Sequence, residues 1–119
     1  MNLKTCVLGL AMTVTACAPM AMAHAHPKVM LPAADSAGPA PAKVVVTFSE
    51  PVEAKFSSLA LTDEKGTTVG TEKSAGVAGD PKTLTLAVPK LTPGDYLVHW
   101  VSVAPDGHKM QGEYKFTVK

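Results

Sequence analysis

A two-residue hydrophobic period runs through most of this chain, and it restricts the possible fold more than any other feature. Val44, Val46 and Phe48 alternate with Val45 and Thr47. The same alternation recurs in four further segments of strand length, at residues 59–62, 84–88, 96–100 and 114–118. Successive side chains on a β-strand point to opposite faces, so each segment presents one apolar face for burial. The pattern therefore predicts an all-β domain.

Turn-forming residues separate these segments at regular intervals. They are Gly38-Pro39, Glu64-Lys65-Gly66, Gly79-Asp80-Pro81, Pro93-Gly94-Asp95 and Asp106-Gly107. Several short strands joined by such turns are typical of an antiparallel Greek-key β-sandwich or barrel of immunoglobulin-like type. We also expect a first strand at residues 26–31, which would place the start of the domain at one end of the sandwich.

Residues 1–23 have the order of a secretory signal peptide. A short basic start precedes an apolar run, and Ala21-Met22-Ala23 forms a small-x-small cleavage site. The apolar run is shorter than the roughly 20 residues that a membrane span needs. Cleavage after Ala23 predicts an exported domain at residues 24–119, with no membrane insertion of the mature chain.

Two other processing sites are open on sequence alone. Residues 14–17 loosely resemble a bacterial lipoprotein box, in which Cys17 would become the lipidated first residue. Cleavage after Ala25 would instead make His26 the first residue. Either event would remove the free α-amine that cleavage after Ala23 gives to His24.

The composition excludes several classes of function for the mature domain. Both cysteines, Cys6 and Cys17, lie outside residues 24–119, so that domain has neither a disulfide nor a thiolate metal site. All 11 basic residues are lysines, against 10 acidic residues, and Lys4 is lost with the signal peptide. The near-zero charge and the absence of arginine argue against nucleic acid as a partner. We expect a monomer.

A histidine stands directly after the predicted cleavage site. As the first residue of the mature chain, His24 would hold a free α-amine and an imidazole, which can close a chelate ring on one metal ion. Both groups lose their protons easily near neutral pH when a metal competes. His26 opens an alternative, because the amine, two backbone amides and the His26 imidazole can wrap Cu(II) or Ni(II) locally.

A second pair of candidate ligands, Asp106 and His108, lies far along the chain. If this segment is extended, both side chains point to the same face and converge. By itself the motif is more typical of a polar turn between two strands. Two imidazoles, an amine and a carboxylate suit Cu(II) in a tetragonal plane, and the general affinity order of divalent metals also favours copper.

Other polar and aromatic residues have plainer interpretations. Glu50 follows a strand end and is a candidate acceptor that orients an imidazole or the amine. His99 lies on the strand face opposite Trp100, as a structural or solvent-facing histidine would. All the aromatic residues except Phe56 fall on the buried faces of predicted strands, so we assign them to the core.

A series of short motifs runs along residues 24–119. They are His24-Ala25-His26, Pro32-Ala33-Ala34-Asp35, Phe48-Ser49-Glu50, Phe56-Ser57, Gly79-Asp80-Pro81-Lys82-Thr83, Pro93-Gly94-Asp95-Tyr96, Val98-His99-Trp100 and Asp106-Gly107-His108, ahead of Gly112 and Phe116. Each is weak alone, but in this order they resemble the CopC copper-resistance family, small periplasmic copper-binding β-proteins of bacteria. The resemblance implies a cupredoxin-like topology and a periplasmic location.

The resemblance also implies roles for individual residues. His24, as the first residue, would bind Cu(II) through its amine and ring, joined by Asp106 and His108, and Glu50 corresponds to a glutamate sometimes placed near this site. Some family members carry a methionine-rich loop that binds Cu(I). Here residues 62–80 contain no methionine, and residues 24–119 contain only Met30 and Met110. We therefore expect one Cu(II) site and no Cu(I) site.

The expected function is that of a non-enzymatic periplasmic Cu(II)-binding protein for copper resistance or homeostasis. It would sequester copper or deliver it to a partner, such as an inner-membrane copper transport protein. One alternative is a copper monooxygenase-like enzyme with an N-terminal histidine brace, although no flat aromatic surface for a substrate is evident. The other is a structural or adhesive β-sandwich without a metal.

Overall fold

The computed structural model describes residues 24–119, and the predicted signal peptide lies outside the described residues. Eight strands form this part of the chain: β1 Pro27–Leu31, β2 Ala37–Gly38, β3 Lys43–Phe48, β4 Ser58–Asp63, β5 Ala75–Val77, β6 Asp80–Ala87, β7 Gly94–Val103 and β8 Lys109–Val118. They make two four-stranded sheets, of order β1-β3-β6-β5 and β2-β8-β7-β4. The predicted all-β sandwich is confirmed. Over the same residues, no helix is long and apolar enough to cross a membrane.

The core lies between the two sheets and is made by the predicted alternation. Val44, Val46 and Phe48 of β3 are fully buried, and so is Val98 of β7. The rings of Phe48 and Trp100 meet across the core, with their centroids 5.9 Å apart and their planes at 64°. This edge-to-face contact joins the two sheets near the end at which β3 and β7 finish.

Two short strands were not predicted, because neither carries an apolar period. β2 contains only two residues and pairs in parallel with β8, which makes this sheet mixed rather than purely antiparallel. β5 consists of alanine, glycine and valine, all of them exposed, and pairs with β6 at the edge of its sheet. Both strands form by pairing their backbones with longer neighbours and contribute little to the core.

Gly112 on β8 allows the Trp100 ring to pack directly against the backbone of β8. It pairs with Trp100 of β7, and the indole ring lies over its backbone. A Cβ atom at position 112 would stand 2.7 Å from Trp100 Cζ2 and 2.9 Å from Cε2. Because real Cβ atoms do not approach a ring so closely, only glycine fits here without a shift of Trp100.

Three separate segments meet at one end of the sandwich. Ser49, just after β3, donates its backbone N–H to His26 O over 2.8 Å. Glu53, in the loop that leads to β4, donates its N–H to Val103 O over 2.7 Å. The N-terminal residues, the 49–57 loop and the β7–β8 turn therefore share this end, as the predicted position of the first strand requires.

Candidate metal centre

His24 and His108 come together at this end of the sandwich. Their ring centroids lie 5.2 Å apart, and the ring planes cross at 75°. His24 is half-buried, whereas the His108 side chain keeps 62% of its surface exposed. The fold thus joins the two regions in which the sequence placed candidate ligands.

Two serines hold the N-terminal segment in this position. The Ser102 hydroxyl, on β7, donates to Ala25 O over 2.6 Å. Ser102 is fully buried, and Ala25 is 2% exposed and part of the core. On the other side, the His26 backbone N–H donates to Ser49 Oγ over 3.2 Å. These bonds place His24 beside the β7–β8 turn.

The turn between β7 and β8 positions His108. Ala104 donates its N–H to His108 O over 2.9 Å, and Gly107 donates its N–H to Ala104 O over 2.8 Å. Gly107 has a φ of 90°, which favours glycine. This is the pattern of a three-residue hairpin loop. Pro105 is the second residue of the four-residue turn from Ala104 to Gly107, a position at which proline is favoured. The motif is therefore a turn, and the extended geometry considered from sequence is wrong.

Asp106 and His108 converge through this turn. Asp106 Oδ1 accepts the His108 backbone N–H over 3.0 Å, and Oδ2 lies 2.9 Å from His108 Nδ1. The hydrogen bond from the His108 backbone N–H, followed by that from the His108 ring, holds the pKa of Asp106 below its usual range. A carboxylate can only accept, so Nδ1 of His108 donates to it, and Nε2 is the ring nitrogen left to bind a metal.

The donor atoms fit a metal ion that prefers nitrogen and oxygen. Nδ1 of His24 is buried and has no hydrogen-bond partner within the described residues. It is the ring nitrogen nearer the backbone, so it can share a metal with the nitrogen of its own residue. Among residues 24–119, no three His, Cys, Asp or Glu side chains already stand close enough to form a metal site. Binding would therefore draw His24, Asp106 and His108 closer together.

The other sequence candidates have different surroundings. Glu50 is exposed at the bend after β3, and none of the hydrogen bonds or ion pairs within residues 24–119 joins its carboxylate to His24 or His108. The His26 ring is exposed, with Nδ1 lying 3.1 Å from His24 O and 3.3 Å from Ser49 Oγ. His99 contacts Thr62 Oγ1 over 2.8 Å and Glu113 Oε2 over 3.3 Å, as a structural histidine on the sheet surface does.

Sequence reasoning did not identify Ser102 as part of this centre. A signal was present, because Ser102 continues the inward-facing row of β7 after Val98 and Trp100. A serine at a buried position needs a hydrogen-bond partner. Its partner, Ala25 O, is 77 residues away along the chain, and no local pattern reveals that pairing.

Comparisons with known proteins identify the family of this chain. The CopC domain family model matches residues 28–119, a range that begins just after His26. Copper resistance protein C of Escherichia coli is 41% identical over 107 residues, which cover 83% of this chain and 84% of the relative.

Two solved structures share the fold. The crystal structure of CopC from Methylosinus trichosporium OB3b has a TM-score of 0.76 and 34% identity, covering 81% of this chain and 94% of that chain. The crystal structure of PcoC, a methionine-rich copper resistance protein from Escherichia coli, has a TM-score of 0.73 and 39% identity, covering 82% and 100%. On its sequence, its fold and the arrangement of its strands, this chain belongs to the CopC family.

Proposed function

We propose that this chain is a periplasmic Cu(II)-binding protein for copper resistance or homeostasis, with one site built on His24, Asp106 and His108. The observation that carries the proposal is the meeting of the His24 and His108 rings, 5.2 Å apart. The unpartnered, buried Nδ1 of His24 supports it, because a bound metal would satisfy that atom. Membership of the CopC family, with copper resistance proteins among the relatives, supports copper as the metal.

Each residue has a separate task at this site. His24 would supply its α-amine and Nδ1, and His108 would supply Nε2. Asp106 orients the His108 ring, and a carboxylate has more acceptor positions than its two hydrogen bonds use, so it can also give an oxygen to the metal. Such a nitrogen and oxygen set favours Cu(II) over softer ions.

The position of Ala25 supports cleavage after Ala23. Its side chain belongs to the hydrophobic core, and its carbonyl accepts the bond from the buried Ser102. Cleavage after Ala25 would empty this place in the core and remove His24. Cleavage after Ala23 retains both residues and frees the amine that the site requires.

The two methionines of the domain support a Cu(II) site without a Cu(I) site. Met30 lies on β1 and Met110 on β8, so they belong to different sheets. Both are partly buried and pack against the core cluster. Thioether sulfurs that fill core gaps in separate sheets are not arranged to share a soft metal ion.

The exposure of the site suits a carrier that exchanges copper with a partner. The side chains of Asp106 and His108 keep 52% and 62% of their surface exposed. A partner, for which we propose an inner-membrane copper transport protein, could reach a metal held there. We further propose that the protein is not an enzyme, because an aspartate beside the copper would occupy space that oxygen activation needs.

Copper titration followed by electron spin resonance tests the site. Intact mass should first establish that the exported protein begins at His24. His108→Ala should then change the Cu(II) spectrum and weaken binding at least about tenfold, because one of the ligands is lost. His99→Ala is the matched control and should leave the spectrum unchanged. An identical spectrum for His108→Ala and the unmodified protein would assign the metal to the local His24-Ala25-His26 chelate.

Peroxide formation separates the carrier from a copper monooxygenase. With ascorbate as the reductant, the copper-loaded protein should produce peroxide no faster than a copper peptide, with or without polysaccharide. Vigorous turnover that depends on a polysaccharide would instead favour the enzyme. A Cu(II) affinity no higher than that of a generic peptide would favour the metal-free structural role.

A further inference from the structure

We infer that Ser102, assisted by Ser49, selects which of two competing copper chelates the mature N-terminus forms. This inference rests on the proposed function, since both chelates use the free amine of His24. The long-range chelate adds the His24 ring and residues of the β7–β8 turn. The local chelate adds the backbone nitrogens of residues 25 and 26 and the His26 ring.

The local chelate requires a change in the backbone. The amide nitrogens of Ala25 and His26 must each release a proton and turn toward the same metal ion, together with the amine. Residues 24–26 would then curl around the metal as an isolated peptide does. The long-range chelate needs none of this, because only the amine and side chains bind.

The described fold engages the same backbone atoms in other bonds. The His26 N–H, which the local chelate would deprotonate, donates to Ser49 Oγ over 3.2 Å. The carbonyl of the same residue accepts the Ser49 N–H over 2.8 Å. The carbonyl of Ala25 accepts the Ser102 hydroxyl over 2.6 Å. Curling around a metal would break or distort all three bonds.

Burial makes the Ser102 bond the strongest of these restraints. Ser102 is fully buried, and Ala25 is 2% exposed, so water cannot replace either partner in place. Releasing residues 24–26 would leave the buried Ser102 hydroxyl without a partner and would withdraw the Ala25 methyl from the core. Ser49 is only half-buried, and its bond to His26 can be exchanged for water at less cost. Ser102 is therefore a positioning residue, and Ser49 supports it.

Three serine variants of the chain beginning at His24 test this assignment. Ser102→Ala removes the main restraint, and Ser49→Ala removes the weaker one and stays informative if the first variant folds poorly. Ser57→Ala is the matched control. Ser57 is also buried, at 6% exposure, and lies at the same end of the sandwich, but its hydroxyl accepts the Val103 N–H over 2.9 Å and makes no hydrogen bond to residues 24–26.

Amide hydrogen exchange of the apo protein measures how firmly Ser102 and Ser49 hold residues 24–26 when no copper is bound. Loss of one buried hydrogen bond should speed exchange at His26 about tenfold in Ser102→Ala. Ser49→Ala removes the acceptor of the His26 N–H itself, so it should speed exchange at this amide by at least as much. Ser57→Ala should leave the rate at His26 unchanged. Equal rates at His26 in Ser102→Ala and the unmodified chain would overturn the assignment.

Electron spin resonance of the Cu(II) protein shows which of the two chelates has formed. Ser102→Ala should show a second signal, that of the local chelate, which grows with pH because two amide protons are released. Adding His26→Ala to this variant should abolish the second signal. A Ser102→Ala spectrum identical to that of the unmodified chain at every pH would overturn the selection.

The copper signal of the unmodified protein distinguishes a failure of the proposed function from a failure of the role assigned to Ser102. If its own copper signal is that of the local chelate and does not respond to His108→Ala, then the proposed function fails. The same spectrum would also show that Ser102 does not select the long-range chelate, even if hydrogen exchange confirms that it restrains the segment. If the unmodified signal needs His108 and only Ser102→Ala lacks an effect, the proposed function stands and this inference alone is wrong.

Discussion

Two tyrosines on the inner face of one sheet differ in the hydrogen bonding of their hydroxyl groups. The Tyr96 hydroxyl donates to Thr92 O over 2.7 Å. The Tyr114 hydroxyl is buried and has no partner within the described residues, and burial raises the pKa of Tyr114. An unpaired buried hydroxyl costs free energy, whereas a paired one contributes about 1 kcal/mol.

Tyrosine-to-phenylalanine variants should therefore have opposite effects. Tyr96→Phe should lower the free energy of unfolding by about 1 kcal/mol, because a hydrogen bond is lost. Tyr114→Phe should leave it unchanged or raise it by up to about 1 kcal/mol, since only an unpaired group is removed. Urea unfolding followed by tryptophan fluorescence measures both. A clear loss of stability in Tyr114→Phe would mean that a buried water satisfies its hydroxyl.

The ionised carboxylate of Asp80 should contribute to the stability of the fold, and acid should remove that contribution. The Thr83 hydroxyl, followed by the Lys82 backbone N–H, holds the pKa of Asp80 below its usual range. Because the folded pKa lies below the unfolded value of about 3.9, the ionised carboxylate stabilises the fold fully above that value. This contribution is lost as the pH falls through the folded pKa.

Asp80→Asn tests that dependence. The variant should melt at a lower temperature than the unmodified protein at about pH 6, and the gap should close as the pH falls below about 4. Thermal unfolding followed by circular dichroism at a series of pH values measures it. A gap that stays constant down to about pH 2 would show that the variant acts through packing rather than through charge.

Single residues at the candidate site were predictable when their own chemistry identified them. His24 stands out because it follows a cleavage site, and His108 because it follows an aspartate at a short spacing. Ser102 and Ser49 carry no such mark. Their importance comes from backbone atoms of the N-terminal segment that only the folded chain brings near them, and sequence patterns record side chains rather than such pairings.

At the scale of elements, the β7–β8 turn has a close relative within the same molecule. Gly66 donates its N–H to Asp63 O over 3.0 Å, and Asp63 donates its N–H to Thr67 O over 3.0 Å. This repeats the bonding of Ala104, Gly107 and His108. Both glycines have positive φ, 80° and 90°, and in both cases a Cβ would meet open space. The two turns differ in what they hold, because only one carries the candidate ligands.

Alanine at each glycine should separate turn stability from metal binding. Gly107→Ala and Gly66→Ala should each cost about 1–2 kcal/mol of stability, because a residue with a Cβ is strained at positive φ. Only Gly107→Ala should also weaken Cu(II) binding, since it displaces Asp106 and His108. Denaturant unfolding and copper titration measure the two effects. Equal copper affinity for both variants would show that the site tolerates movement of the turn.

The elements with an apolar face were predictable, and those without one were not. β3, β4, β6, β7 and β8 each bury alternate side chains, so the two-residue period marked them. β2 and β5 exist through pairing with β8 and β6, and their short, small-residue sequences carry no period. The Asp106–His108 segment shows the same limit. A spacing of two fits a strand or a turn, and the hydrogen bonds of the neighbouring strands decide between them.

At the scale of the whole molecule, the proposed copper site ties the N-terminal segment to a turn in the opposite sheet. His24 precedes β1, which belongs to one sheet, whereas His108 lies between β7 and β8 of the other. Only the folded chain can hold a metal ion that bridges them. Its binding free energy therefore adds to the stability of the fold. The local His24-Ala25-His26 chelate has no such effect, because it forms at least as well in the unfolded chain, where the bonds of Ser49 and Ser102 do not oppose it.

Copper should therefore stabilise the protein only when the long-range site is intact. Copper also binds the His24-Ala25-His26 chelate of the unfolded chain, which reduces the effect. At a free Cu(II) concentration about 100 times the dissociation constant, linkage therefore sets an upper limit of about 2.7 kcal/mol of added stability. For a domain of this size, that corresponds to a rise in melting temperature of roughly 10–20 °C.

His99→Ala should keep the rise, because His99 lies on the sheet surface and contacts Thr62 and Glu113 instead. His108→Ala should show no rise, or a fall, because copper then binds the N-terminal tripeptide in both folded and unfolded chains. Calorimetry of the three proteins with and without copper measures this, and an equal rise in His108→Ala would rule out a site that bridges the two sheets.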